Sequence, residues 1–104
     1  MVIFDEIQAG FGRTGKLFTY QHYGVKPDLI CLGKALSGSL PISAVVGKKE
    51  IMDLPETGSM SSTHSANPLC CAAALANLEF IERENLVKES ERKGKILHSY
   101  LSKL

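Results

Sequence analysis

Lys34 stands apart from the other lysines of this sequence. Leu32, Ala35 and Leu36 flank it, and no other charge lies beside it. It follows the apolar run "DLICLG", as Asp5 follows the apolar run "VIF". Open α/β sheets bind ligands beyond the C-terminal ends of their strands, so a carboxylate and an amine that end two different strands can converge on one ligand. Taken singly, such an Asp reads as a surface or capping residue and such a Lys as a solvated one. A third group is "SSTHSANP", where the hydroxyls of Ser61, Ser62 and Thr63 precede a helix start and suit an anion, or serve only as polar loop and cap residues. A fourth is "GFGRTGK", Gly10 to Lys16, which comes close to two phosphate-binding patterns.

Neither pattern survives its context. Gly10-x-Gly12-x-x-Gly15 fits a dinucleotide fingerprint, but that motif needs a strand directly before it and a helix opening on it. Here Asp5 to Ala9 intervene, and no acidic residue occupies positions 29–37, where the ribose partner belongs. Gly10-x4-Gly15-Lys16 resembles a P-loop, but Leu17 replaces the Ser or Thr that holds magnesium. The better reading is a tightly turned or mobile loop whose glycines permit positive φ or close backbone approach.

The elements that must position these residues follow from pattern. "VIF" reads as the end of a strand, "LFTYQHYG" as one or two helical turns stopped at Gly24, and "DLICLG" as a buried strand after Pro27. "ISAVVG" is a further strand. Only nine residues separate Leu32 from Ile42, too few for a crossover helix, so these two strands are expected to be antiparallel neighbours. "KKEIMDL" reads as a short helix and "PETGSMSSTHSA" as a polar loop. Asn67 caps a helix with Pro68 at its first position. The run Leu69 to Ala76 is apolar on every side, which predicts burial all round, with Cys70 and Cys71 as small buried hydrophobes. A last amphipathic helix carries Leu86, Lys93, Leu97, Tyr100, Leu101 and Leu104 at its period, with a polar remainder.

Composition narrows the function class. The 104 residues are 44% hydrophobic and 22% charged, with a net charge of +1, which gives no electrostatic footprint for nucleic acid or an anionic membrane. No window is apolar enough to span a bilayer. "MVIFDE" lacks a basic n-region, so no signal peptide is expected, and the cytoplasm is the expected compartment. Three cysteines argue against a disulfide framework. About three strands beside a helix that wants burial all round suggest the middle of a larger α/β protein.

Three ordered blocks, "IFDEIQAGFGRTGKL", "PDLICLGKALSGSLPISAV" and "SSTHSANPLCCAAALANLEFIERENL", resemble the class III aminotransferases. These are pyridoxal-phosphate (PLP) enzymes of fold type I that include the ornithine, acetylornithine and 4-aminobutyrate aminotransferases. The resemblance covers essentially the whole chain. It implies an α/β fragment, residues 1–104 forming part of the large PLP-binding domain, with a C-terminal helix at about 86–104 leading toward a small domain absent here. It implies that Asp5 pairs with the pyridine nitrogen and that Lys34 forms the Schiff base and moves the proton, a role needing an amine whose basicity is lowered, for example by burial. By the same resemblance Thr63 binds the cofactor phosphate across a dimer interface, Gln8 approaches the ring's phenolic oxygen, and Ile7 packs on the ring face or belongs to the core. "GFGRTGK" then borders the site and the subunit interface, with Arg13 either an interface charge or a shaper of the substrate mouth.

The implied reaction is amino transfer between an amine or amino acid and a 2-oxo acid, in a homodimer. Relatives with these motifs also include a decarboxylating transaminase and an aminomutase. The loop His64, Ser65 and Ala66 departs from the family's more usual glycine-rich or aromatic stretch, which bears on substrate subgroup; His64 is a substrate contact or merely solvated. The family's upstream phosphate loop, its ring-stacking aromatic and its substrate-carboxylate arginine lie outside these residues. The isolated chain is therefore expected to show low or no transaminase activity, and the alternative reading is a truncated, non-catalytic fragment or interaction module.

Overall fold

The computed structural model describes all of residues 1–104. Its centre is a three-stranded sheet in the order β1 (Ile3–Asp5), β2 (Leu29–Leu32), β3 (Ala44–Gly47). β1 and β2 are parallel, with Asp5 opposite Cys31, and β2 and β3 are antiparallel, with Leu32 opposite Ala44. The short link from Leu32 to Ile42 does produce antiparallel neighbours. The parallel pair requires a crossover, and residues 6–28 supply one without a long helix: a glycine-rich turn region, then a single 3₁₀ turn at Thr19–His22. α1 (Lys49–Met52) is the short helix expected after β3.

α2 (Pro68–Arg83) begins as its sequence dictates. The Asn67 side-chain oxygen accepts from the backbone N–H groups of Leu69 (3.0 Å) and Cys70 (3.4 Å), and Pro68 fills the first turn. Burial is where the expectation fails. Only Cys70, Ala74 and Ile81 of α2 are buried, at helical spacing along one face. Leu69 is 69% exposed and Leu75 59% exposed, and Cys71 also faces outward. An all-apolar run shows that a helix tolerates burial on every side; it does not supply the neighbours, and these 104 residues cover one side only. α3 (Leu86–Leu101) stops short of the expected residue 104, and its Leu97, Tyr100 and Leu101 are exposed. No helix is long and apolar enough to cross a membrane.

The core is small: Phe11, Leu32, Leu36, Ala74 and Ile81, with Phe18, Ile30 and Val87 packed against it. Phe11 comes from the glycine-rich loop, so that loop is anchored in the core. Gly12 (φ +90°) and Gly15 (φ +88°) adopt left-handed backbone, and a Cβ on either would press on α3, 3.1 Å from Val87 Cγ2 and 3.0 Å from Glu91 Cβ. Both reasons for glycine, conformation and closeness, hold here. The motif serves loop–helix packing.

One polar residue ties the sheet together. The Asp28 carboxylate accepts from the Val2 backbone N–H (2.6 Å) and from Lys48 Nζ just beyond β3, so it joins the segments leading into β1 and β2 to the end of β3. The Lys48 hydrogen bond, followed by that of Val2, holds the Asp28 carboxyl below the usual carboxylate range. A depressed carboxyl contributes stability above its unfolded-state pKa and loses it as pH falls through the folded value. The sheet should therefore weaken from about pH 4 downward. Asp28→Asn should lower the urea midpoint at neutral pH and flatten the acid limb, measured as urea midpoints of both proteins across that range.

Candidate functional site

The parallel pairing of β1 and β2 brings their C-terminal ends to one edge of the sheet. Asp5 closes β1, and Lys34 lies two residues past β2. Between them, Glu6 continues the ladder by donating its N–H to the Cys31 carbonyl (3.0 Å), and the chain then turns so that the Gly10 N–H meets the Glu6 carbonyl (2.9 Å). This turn carries Ile7 and Gln8 toward Lys34. Lys34 Nζ donates to Gln8 Oε1 at 2.6 Å. A Cβ on Gly33 would lie 3.3 Å from Ile7 Cγ2, so glycine lets the start of the lysine turn pack close against Ile7. Asp5 Oδ1 accepts from the Ile7 N–H (3.0 Å), while Oδ2 has no partner within the chain.

Asp5, Ile7, Gln8 and Lys34 are thus gathered at one sheet edge. Thr63 is not joined to them: it lies in the exposed 61–66 loop and no hydrogen bond links it to Lys34. The α2 N-terminus behind it is already engaged by Asn67, which takes two N–H groups that an anion would otherwise use. His64 lines a cavity of 280 Å³ with Ser62, Ser65 and Pro41. The Lys34 side chain is exposed, so the burial expected to tune its amine does not come from this chain.

Lys34 has a feature that its sequence context does not announce. Its φ is +42°, in the left-handed region that non-glycine residues rarely occupy. Such backbone costs on the order of 1–3 kcal/mol and persists where the surroundings over-determine it. The surroundings are visible. Leu36 N–H bonds to the Gly33 carbonyl (2.9 Å), the buried Ser37 hydroxyl donates to the Leu40 carbonyl, and Asn77 Nδ2 of α2 donates to the carbonyls of Ala35 (2.6 Å) and Leu36 (3.3 Å). Sequence reasoning passed over Asn77. Its signal was positional: a polar residue three after Ala74 and four before Ile81, on the inward face of an otherwise apolar helix.

Glu6 was also passed over, because "DE" at a strand end reads as a solvated pair. It is 1% exposed, the most buried side chain in the chain. Its Oε1 accepts from the Tyr20 N–H (2.9 Å) at the start of the 3₁₀ turn, and its Oε2 has no partner. Glu6 therefore pins the far end of the crossover to the strand that carries Asp5.

The family model for class III aminotransferases matches residues 1–104. The chain is 45% identical over 102 residues to the ornithine aminotransferase of Emericella nidulans, covering 97% of this chain and 22% of that protein. It is 50% identical over 97 residues to the acetylornithine aminotransferase of Methanocaldococcus jannaschii, covering 91% and 24%. Among solved structures, the ornithine aminotransferase of Toxoplasma gondii, in which PLP partly occupies the active site, superposes with a TM-score of 0.93 at 43% identity, covering 97% of this chain and 24% of that one. The chain spans about a quarter of the length of these relatives. The three-stranded α/β architecture expected from the sequence is the one these proteins share over this region.

Two substitutions test the supports of the lysine turn. Asn77→Leu keeps the branched outline but leaves the Ala35 and Leu36 carbonyls unpaired, and should cost about 1–3 kcal/mol in urea unfolding. Glu6→Ala orphans the part-buried Tyr20 N–H and should cost a similar amount, about 1–3 kcal/mol, whereas Glu6→Gln keeps the acceptor and should cost clearly less.

Proposed function

From the premise that the chain belongs to the class III aminotransferase family, we propose that its strand ends form the lysine-bearing part of a PLP site for amino transfer between an amine or amino acid and a 2-oxo acid. The observation that carries this reading is the convergence of Lys34, Gln8 and Asp5 at the C-terminal edge of the parallel pair. Since the chain spans about a quarter of its relatives' length, the activity is proposed for the native protein that contains these residues.

The residues fit the group. Asp5 Oδ2, without a partner in the chain, is free to accept from a protonated ring nitrogen, while the Ile7 N–H holds the other oxygen in place. Ile7 stays half-exposed beside the lysine turn, and we assign it to the face of the flat ring. When bound, PLP supplies an electron sink for a carbanion at the substrate Cα.

The protein's share is orientation and proton handling. The strained turn at Lys34 fixes where its amine projects, and Gln8 holds that amine by a single short hydrogen bond that a better partner can replace. So placed, the Lys34 amine can take a proton from one substrate carbon and return it at another position, the work of a general base and then of a general acid. A carboxylate at the end of β1, as Asp5 supplies, favours the cationic form of a group it faces. We assign Thr63 to the cofactor phosphate by way of its hydroxyl, which makes no hydrogen bond within the chain; because no hydrogen bond joins it to the Lys34 cluster, we assign it to the site of a second copy in a homodimer. The exposed apolar face of α2, with Leu69 and Leu75, supports the view that further chain or a second copy completes the structure.

The test is amino transfer by the native-length protein. Lys34→Ala should lower kcat by about 10²–10⁴-fold, the range of a positioned acid–base group. Asp5→Asn, similar in shape but without the charge, should lower kcat while Lys34 still carries the cofactor. Unchanged turnover in Lys34→Ala would remove the proposal.

A further inference from the structure

Glu6 is the only acidic or basic residue buried in the chain, and amino transfer at Lys34 gives it no chemical step. Burying a carboxyl is unfavourable unless its oxygens find donors. Oε1 accepts from the Tyr20 N–H at 2.9 Å, and Oε2 is enclosed without a partner. An apolar side chain of similar length would fill the space and leave no oxygen unpaired. What Glu6 alone supplies is the acceptor for Tyr20. That N–H lies in the first turn of the 3₁₀ segment Thr19–His22, where a donor has no partner inside the turn.

Glu6 is held at three points. Its N–H donates to the Cys31 carbonyl of β2 (3.0 Å), its carbonyl accepts from the Gly10 N–H (2.9 Å), and its side chain reaches Tyr20. The first two are backbone bonds open to almost any residue; the third needs an acceptor on a side chain of this length. Gly10 lets the loop close over it, since a Cβ there would lie 2.8 Å from the Glu6 carbonyl oxygen. Asp5 and Gln8 stand on either side of this anchor. Asp5 is exposed where Glu6 is buried, as alternation along an extended strand dictates. Asp5 Oδ1 takes the Ile7 N–H, and Gln8 Oε1 takes the Lys34 amine. Lys34 sits on a different segment, past β2, so its contact with Gln8 depends on how firmly residues 5–8 are seated.

We propose that Glu6 is a positioning residue of this site: by holding the Tyr20 N–H it seats the turn at residues 5–8, and through that turn it keeps Gln8 on the Lys34 amine. The proposal rests on the amino-transfer reading for the use made of that amine, but not for its placement. The fold does not hang on the same bond. The Tyr20 ring packs edge-on against Phe4 of β1, with centroids 5.8 Å apart, and this contact holds the crossover to β1 when the Glu6 acceptor is removed.

The experiment uses the native-length protein, free of cofactor, and measures how fast trinitrobenzenesulfonate labels Lys34, by peptide mass, with Lys49 as the internal reference. Gln8→Leu removes the amine's partner and should change the Lys34 rate about 3–10-fold, the scale of one hydrogen bond. Glu6→Met fills the space without the acceptor and should change it in the same direction by a similar factor. Glu6→Gln, which keeps the acceptor, should restore the native rate. Glu6→Asp, one methylene too short to reach Tyr20, stands in for Glu6→Met if that variant does not fold. Glu6→Met combined with Gln8→Leu should be no worse than Gln8→Leu alone, because both act on one contact. Asp28→Asn, which loosens the opposite end of the sheet, should leave the Lys34 rate unchanged. In the loaded protein kcat should fall about 10–100-fold in Glu6→Met, the scale of a misplaced reacting group. Native labelling of Lys34 in Glu6→Met and Glu6→Asp would overturn the proposal and leave Glu6 a support of the crossover only. An equal change in Asp28→Asn would overturn it as general loosening. Glu6-dependent labelling of Lys34 in a protein without transaminase activity would sustain the positioning while refuting the amino-transfer reading, so the two failures are distinguishable.

Discussion

Everything at this site depends on the parallel pairing of β1 with β2. Antiparallel strands would put the residues after their C-terminal ends at opposite edges of the sheet. Parallel strands put them side by side, and the register that sets Asp5 opposite Cys31 leaves Asp5 and the Lys34 turn on one edge. The cost of parallel pairing is a crossover, and the chain makes one without a long helix. Glu6 and Phe11 make that economical route stable. One carboxylate oxygen of Glu6 fixes the far end of the crossover, and Phe11 ties its middle into the core.

The second constraint is local. Lys34 adopts a backbone conformation that costs free energy, and three hydrogen-bonded neighbours hold it there: the Gly33 carbonyl, Ser37 and Asn77. Asn77 reaches the lysine turn from α2, so the helix does more than cover the sheet. The glycine-rich loop acts similarly from the other side. Gly12 and Gly15 let it lie close on α3, and Arg13 and Gln8 continue the connection to the lysine amine. Sheet, α2 and α3 thereby meet at one side chain.

Much of this was legible in the sequence because it rests on local chemistry. Asn67 followed by Pro68 specifies a helix start through atoms within a few residues. Nine residues between Leu32 and Ile42 cannot build a crossover, so the antiparallel pair follows from chain length alone. Leu17 and the gap after Phe4 argue against "GFGRTGK" as a phosphate loop, and its glycines let it lie close on α3. What stayed hidden depends on distant partners. The apolar run Leu69–Ala76 reports its own hydrophobicity and cannot report that only one face meets the core, which is why Leu75 and Cys71 were misjudged. Glu6 looks like any acidic residue until Tyr20, fourteen positions away, is seen donating to it. The positive φ of Lys34 has no signature in a lysine at all. Ile7 and Gln8 were named from the resemblance, whereas the convergence of Asp5 and Lys34 was open to view in their places after two apolar runs, and the parallel pairing completes it. Thr63 stays apart from them within a single chain.

The most direct measurement of the central claim, that these strand ends build a site around one lysine, is chemical. The native-length protein is incubated with PLP and reduced with borohydride, and the pyridoxyl adduct is mapped by peptide mass. The account predicts an adduct confined to Lys34. Labelling spread over exposed lysines such as Lys48 and Lys49, with Lys34 unmodified, would contradict it.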